Sequence, residues 1–156
     1  MKKEWKFGTE LDKRTQQELI RLAYEGKERS YSPYSGFEVG AALLAKNGTV
    51  YLGCNIENAA YSVTNCAERT AFFQAVSEGV TEFQAIAIVG GLKGSKSGEL
   101  CAPCGVCRQV MMEFCDPKEF QIILEDGKGG CFSKTLEAFL PFGFGPGNLK
   151  RRSRRI

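Results

Sequence analysis

The 156-residue chain contains no histidine. Any metal it binds must be held by thiolates and carboxylates, and any proton shuttle must be something other than imidazole. No apolar run approaches the ~20 residues that span a bilayer. Met1-Lys2-Lys3-Glu4-Trp5-Lys6 leads into no apolar stretch of the kind a secretory signal carries. These absences point to a cytoplasmic protein with no membrane partner. A basic surface is also missing. The net charge of +3 arises from Lys150 to Ile156, which carry five basic side chains; the remainder holds 16 basic and 18 acidic residues, a net of −2. That balance argues against a nucleic-acid-binding body, and the tail 150–156 reads as a disordered, solvated end. No internal repeat or low-complexity stretch precedes it, so residues 1–149 are expected to form a single domain.

What is present fits an ordinary globule, with 43% apolar and 25% charged residues. Seven cysteines stand at 54, 66, 101, 104, 107, 115 and 131. The count is odd, and in a reducing compartment clustered cysteines are metal-binding or catalytic more often than disulfide-bonded.

Hydrophobic periodicity places a first helix over Thr9–Arg29, started by Thr9-x-x-Asp12, with Leu11, Leu19, Leu22 and Ala23 on one face. Phe37–Ala45 and Val50–Ile56 alternate as strands around Asn47-Gly48, a hairpin signal. Asn65–Glu78 reads as a helix stopping at Gly79, Phe83–Val89 as a strand and Gly90–Gly98 as a mobile loop. Gly105–Phe114 reads as a helix and Phe120–Leu124 as a strand. A short strand near Cys131-Phe132 follows the turn at Asp126-Gly127, and Ser133-x-x-Leu136-Glu137 starts a last helix that ends before Pro141. Helices alternating with short strands imply a sheet covered on both faces, with the later, helix-separated strands parallel.

Three features carry chemistry. Cys66-Ala67-Glu68 opens one helix; Pro103-Cys104-Gly105-Val106-Cys107, 38 residues on, opens another; Asn55-Ile56-Glu57-Asn58 ends a strand just before them. A Cys-x-x-Cys pair has the reach to grip one Zn²⁺, and Cys66 offers a third thiolate from a second helix start. Helix N-termini favour thiolates through their free N–H groups and partial positive charge. Three ligands leave a fourth position open, as in catalytic rather than structural zinc sites. Glu68 then suits proton transfer from metal-activated water. The competing role for Glu68 is helix capping, through Asn65-x-x-Glu68.

Cys-x-Glu followed by Pro-Cys-x-x-Cys matches the three-cysteine form of the zinc deaminase signature. The chain resembles the small homotetrameric cytidine deaminases in that signature and well beyond it. The likeness takes in Ser32-Pro33-Tyr34-Ser35-Gly36-Phe37-Glu38-Val39-Gly40, Gly53-Cys54-Asn55-Ile56-Glu57-Asn58-Ala59-Ala60-Tyr61, Cys66-Ala67-Glu68-Arg69-Thr70-Ala71, Pro103 to Gln109, and Leu140 to Pro146, over about residues 12 to 149. The resemblance implies a three-layer α/β/α domain with a mixed, mostly five-stranded sheet, assembling as a homotetramer and serving pyrimidine salvage. It implies one Zn²⁺ on Cys66, Cys104 and Cys107, and hydrolysis at C4 of cytidine or deoxycytidine with Glu68 shuttling protons. Phe37 would stack on the base, Asn55 and Glu57 would hold the ribose, and the Ala67 N–H would hold the base carbonyl. Arg69 would bond the zinc-ligand sulfurs, while Tyr61 and Phe144 would reach a neighbouring subunit's site. Phe37 could instead be a core aromatic, and Asn55 and Glu57 loop caps. Three alternatives stay open: another small-molecule deaminase such as a blasticidin deaminase, a polynucleotide deaminase, and a zinc-stabilised interaction module in which Cys101 joins the other three cysteines as a fourth ligand.

Overall fold

Asp12 starts the first helix: its carboxylate accepts a hydrogen bond from the Thr15 N–H at 2.8 Å. In this computed structural model, which describes residues 1–4, 11–95 and 99–150, the helix is α1 (Lys13–Lys27). It is shorter than the Thr9–Arg29 expected. The cap is Asp12 itself, and Thr9 lies outside the described residues. β1 (Lys2–Glu4) precedes it, and β2 (Phe37–Ala45) and β3 (Thr49–Cys54) follow. Gly48, at φ 82°, takes the left-handed turn position between β2 and β3 that only glycine adopts without strain. A 3₁₀ turn (Tyr61–Val63), α2 (Ala67–Ser77), β4 (Phe83–Leu92), α3 (Gly105–Phe114), β5 (Gln121–Glu125), β6 (Cys131–Thr135), α4 (Leu136–Phe139) and α5 (Pro146–Lys150) complete the order.

The six strands lie in the order β1-β3-β2-β4-β5-β6. β3 and β4 flank β2 and are both antiparallel to it, so the β3–α2–β4 crossover joins two strands that run the same way. β4 and β5 pair in parallel. Helices α2 and α3 therefore both follow strands that end at one end of the sheet, where ligands collect in open α/β sheets.

Side-chain alternation divides the core. Leu19, Leu22 and Ala23 of α1 pack on Ala42, Leu44, Val50, Leu52, Ala87 and Ile123. The opposite face carries Ala41, Leu43, Tyr51, Ile86, Ile88 and Leu124 under α2, α3 and α4. There Phe72 of α2 meets Phe83 at 4.9 Å and Phe114 and Phe120 at 6.1 Å. Truncating a buried ring of this kind to alanine costs about 3–5 kcal/mol. The result is the expected α/β/α layering.

Four details correct the sequence reading. The sheet has six strands rather than five, because Lys2–Glu4 adds an edge strand on β3; three charged residues carry no alternation to read. β4 runs on to Leu92, so Gly90 and Gly91 are strand residues paired with Val39 and Glu38 rather than loop. Of the rest of that expected loop, Lys93 and Gly94 form a turn and residues 96–98 lie outside the described residues. Ser133 lies within β6, and Thr135 is the residue before α4. A short α5 follows at Pro146, and residues 151–156 of the expected tail lie outside the described residues.

Candidate active site

Gly53 lets α2 lie directly on β3. A Cβ at that position would stand 2.1 Å from the Ala67 carbonyl oxygen and 2.7 Å from the Ala71 nitrogen. The start of α2 is thereby lowered onto the C-terminal end of β3, beside the start of α3. Cys66 and Cys104 are the N-cap residues of α2 and α3, and neither makes a side-chain capping bond. Cys107 is buried one turn into α3.

The sulfurs of Cys66, Cys104 and Cys107 all lie within 4.8 Å of one another. Cys66 Sγ is 3.9 Å from Cys104 Sγ, which is 3.5 Å from Cys107 Sγ. Tetrahedral thiolates about 2.3 Å from zinc are about 3.8 Å apart. The donor set and its spacing therefore fit Zn²⁺ before any large movement. The Cys107 thiol, and then Arg69 and Cys104, pull the Cys66 thiol down to about 5, whereas Cys107 is driven well up by its bond to Cys66 and by burial. Of this coupled pair, Cys66 is the sulfur that gives up its proton more readily. The Arg69 guanidinium meets it, with Nη2 donating to Cys66 Sγ at 3.5 Å and to the Thr64 carbonyl at 3.1 Å.

Glu68, the second residue of α2, is 4% exposed. Burial foremost, and then the Cys66 charge, push its carboxyl up to about 7, while its own backbone N–H and the Cys107 thiol pull the other way. A buried carboxyl that can hold a proton near neutrality is what general acid–base chemistry needs. The capping box does not form: the cap position belongs to Cys66, and Asn65 Nδ2 donates to Thr70 Oγ1 at 3.0 Å instead.

Cys101 stands outside the sulfur cluster. Burial, with Glu68 next, raises its thiol to about 11, so it remains neutral.

The remaining expected residues are less uniform. Phe37 begins β2 and borders a depression of about 360 Å³ with Gly91, Leu92, Ser95 and Glu99. Asn55 is buried and occupied: Oδ1 accepts from Ser30 Oγ and from the Val39 N–H at 2.8 Å, and Nδ2 donates to the Phe37 carbonyl at 2.9 Å. The Glu57 carboxylate accepts from the Ser35 hydroxyl, which lowers its pKa, and from the N–H groups of Tyr34 at 2.8 Å and Ser35 at 3.2 Å. Both residues thus hold the Ser30–Gly36 turn in place beside Phe37. Ala67 is buried as the first residue of α2, where backbone N–H groups have no helical partner. Tyr61 and Phe144 point away from the core, 70% and 59% exposed; the Tyr61 ring meets Tyr34 edge-on at 5.9 Å. Sequence reasoning missed Ser30 and Ser35, the partners of Asn55 and Glu57. Their position in a turn-rich stretch was the only signal.

Three sulfurs at two helix starts, beside a buried carboxylate and on an α/β/α frame, define a metal-dependent hydrolase site of the zinc deaminase type. Comparison with known proteins agrees. Residues 13–123 match the family model described as the cytidine and deoxycytidylate deaminase zinc-binding region. A cytidine deaminase from Sporosarcina psychrophila is 50% identical over 133 residues, 85% of this chain and 93% of that protein. One from Halalkalibacterium halodurans is 48% identical over 82% of this chain and 92% of its own length. The crystal structure of cytidine deaminase from Burkholderia pseudomallei superposes with a TM-score of 0.73 at 44% identity, covering 82% of this chain and 98% of that one. The chain belongs to the cytidine deaminase family, whose members are zinc-binding hydrolases.

Proposed function

We propose that this chain hydrolyses cytidine and deoxycytidine to uridine and deoxyuridine with release of ammonia, using Glu68 to move the protons. The observation that carries this reading is the convergence of Cys66, Cys104 and Cys107 beside the buried Glu68. Those three sulfurs would hold one Zn²⁺ per chain. Zinc, when bound there, supplies a Lewis acid that makes water nucleophilic at neutral pH.

The chain's own residues do the rest. The Glu68 carboxylate takes one proton from the attacking water and delivers it to the ring nitrogen, then takes a second from the hydroxyl that water leaves on C4 and delivers it to the amino group, which departs as ammonia. The Ala67 N–H, free of helical bonding, donates to the base carbonyl. Phe37 stacks on the ring. Arg69 offsets the negative charge that three thiolates gather. Asn55 and Glu57 take the sugar hydroxyls with the capacity their turn-holding bonds leave over. Asn55 Nδ2 has two N–H donors and spends one on the Phe37 carbonyl. Each Glu57 oxygen can accept further bonds.

We place residues 1–149 in one domain that assembles as a homotetramer, with Tyr61 and Phe144 reaching a neighbour's site. Exposed Tyr61, Val63, Phe142 and Phe144 support this, since apolar surface of that kind asks for cover. Seven unpaired cysteines support a reducing, cytoplasmic setting, and turnover of free nucleosides would serve pyrimidine salvage. The four-cysteine structural alternative is disfavoured by the position of Cys101 outside the sulfur cluster.

The test is the loss of cytidine absorbance in the ultraviolet, with and without a zinc chelator. Turnover that a chelator abolishes and zinc restores is expected; folded, zinc-loaded protein without turnover would refute the reading. Free cytosine should be a much poorer substrate, because binding energy from the sugar helps reach the transition state.

A further inference from the structure

Of the four cysteines outside the metal cluster, Cys101 lies nearest to it in sequence, three residues before Cys104, and its surroundings give it a different task. Gly90 lies in the interior of β4, paired with Val39. It is buried, and its φ is not in the left-handed region. Nothing in its backbone calls for glycine, and glycine weakens a strand interior. What matters is the missing side chain. A Cβ on Gly90 would stand 2.5 Å from Cys101 Sγ, 3.1 Å from Cys101 Cβ and 3.0 Å from Phe37 Cε1. The Cys101 sulfur therefore occupies the space a side chain at 90 would fill, and it does so at the edge of the Phe37 ring.

All three residues belong to the face of the sheet that carries the sulfur cluster. Phe37, two residues before Val39 on β2, pairs with Leu92, two residues beyond Gly90, so the ring is diagonal to Gly90. Cys101 packs against the buried core of the same face, as Val39 and Cys66 also do. A neutral thiol is a small hydrophobe and serves well as a wedge of this size.

We propose that Gly90 and Cys101 together determine the position of the Phe37 ring, and so the width of the slot that receives the pyrimidine base. The inference rests on the reading of Phe37 as the residue that stacks on the base. In this arrangement the sulfur sets how far the ring can tilt back, and the bare backbone of Gly90 makes room for the sulfur. Position 90 and position 101 then share one volume, and changes at the two sites compensate each other.

The test is a double-mutant cycle on the zinc-loaded enzyme, measuring kcat and KM for cytidine together with Tm. Gly90→Ala is expected to raise KM about three- to tenfold, the cost of holding a ring off its preferred rotamer, and to leave kcat within about twofold because the metal cluster and Glu68 are untouched. Cys101→Ala alone is expected to raise KM about twofold, since the ring loses its backing, and to keep one zinc per chain. Gly90→Ala with Cys101→Ala removes the 2.5 Å clash with the sulfur and leaves the milder 3.0 Å approach to Phe37 Cε1; KM should fall at least halfway back toward the parent value, and Tm should rise with it. If Gly90→Ala yields no soluble protein, the double variant should restore it.

A silent Gly90→Ala, or a double variant no better than Gly90→Ala, overturns the proposal. So does recovery of Tm in the double variant when none of the three proteins has an altered KM. Phe37→Leu in the same assay separates the two levels: an unchanged KM there would defeat the stacking role of Phe37 itself, whereas a raised KM with no coupling between 90 and 101 would defeat only this inference.

Discussion

Helices α1 and α2 begin in opposite ways. The start of α1 is capped by its own sequence: Asp12 accepts from the Thr15 N–H. The starts of α2 and α3 are occupied by Cys66 and Cys104, which cap nothing. A good capping side chain is worth about 1 kcal/mol relative to a residue that does not cap. Two of the three longer helices forgo that contribution, and both do so at one end of the sheet. A local rule broken twice in one place is a mark of function. The metal can return the loss, because binding to the folded site alone stabilises the fold.

Exchanging the sulfur for a true cap breaks this contrast most sharply. Cys66→Ser should lose zinc, measured by metal analysis, and with it all measurable deamination. The stripped variant should nonetheless melt at or above the temperature of the stripped parent, by up to about 2–4 °C for the roughly 1 kcal/mol a serine cap adds. A variant that keeps its zinc would remove Cys66 from the ligand set.

The next effect in size belongs to Glu68. Glu68→Gln should keep one zinc per chain and its fold by circular dichroism, and lose about 10²–10⁴-fold in kcat/KM. Near-normal turnover would return Glu68 to a structural role. Arg69→Gln, which removes the donor to Cys66 Sγ, should weaken zinc affinity about 10–100-fold in a chelator competition. The smallest change tests the ordinary helix start. Asp12→Ala should lower Tm by about 2–4 °C and leave kcat/KM where it was, since α1 packs on the face of the sheet away from the sulfurs.

The metal site was legible before the fold because each of its two halves is local and the halves together match one signature. Cys104 and Cys107 are one helical turn apart, Glu68 is two residues from Cys66, and each spacing carries its geometry with it. The layered fold was legible through periodicity, which placed β2 and α3 with their observed boundaries. The limits came where neighbours in space are distant in sequence. Asn55 and Glu57 stand out as polar residues at a strand end, but their engagement with Ser30, Val39, Tyr34 and Ser35 depends on a turn some twenty residues earlier. Gly90 and Gly91 read as loop because paired glycines usually do; only the register with β2 reveals them as strand. Cys101 invited a fourth-ligand reading through spacing alone, which Cys101-x-x-Cys104 and Cys104-x-x-Cys107 share. The extended segment before Pro103 instead leads it back over β4.

The direction of β3 and β4 has a practical corollary. Both strands deliver their chain to the sulfur-bearing end, so the connections at 46–48, 78–82 and 116–120 all lie at the opposite end, where Ala45 pairs with Phe83 and Ala85 with Gln121. An engineer who wishes to immobilise this enzyme on a support, or to splice a reporter peptide into it, has a ready-made handle there. Lys46 and Lys118 already offer amines at that end, about the length of a strand away from the chemistry.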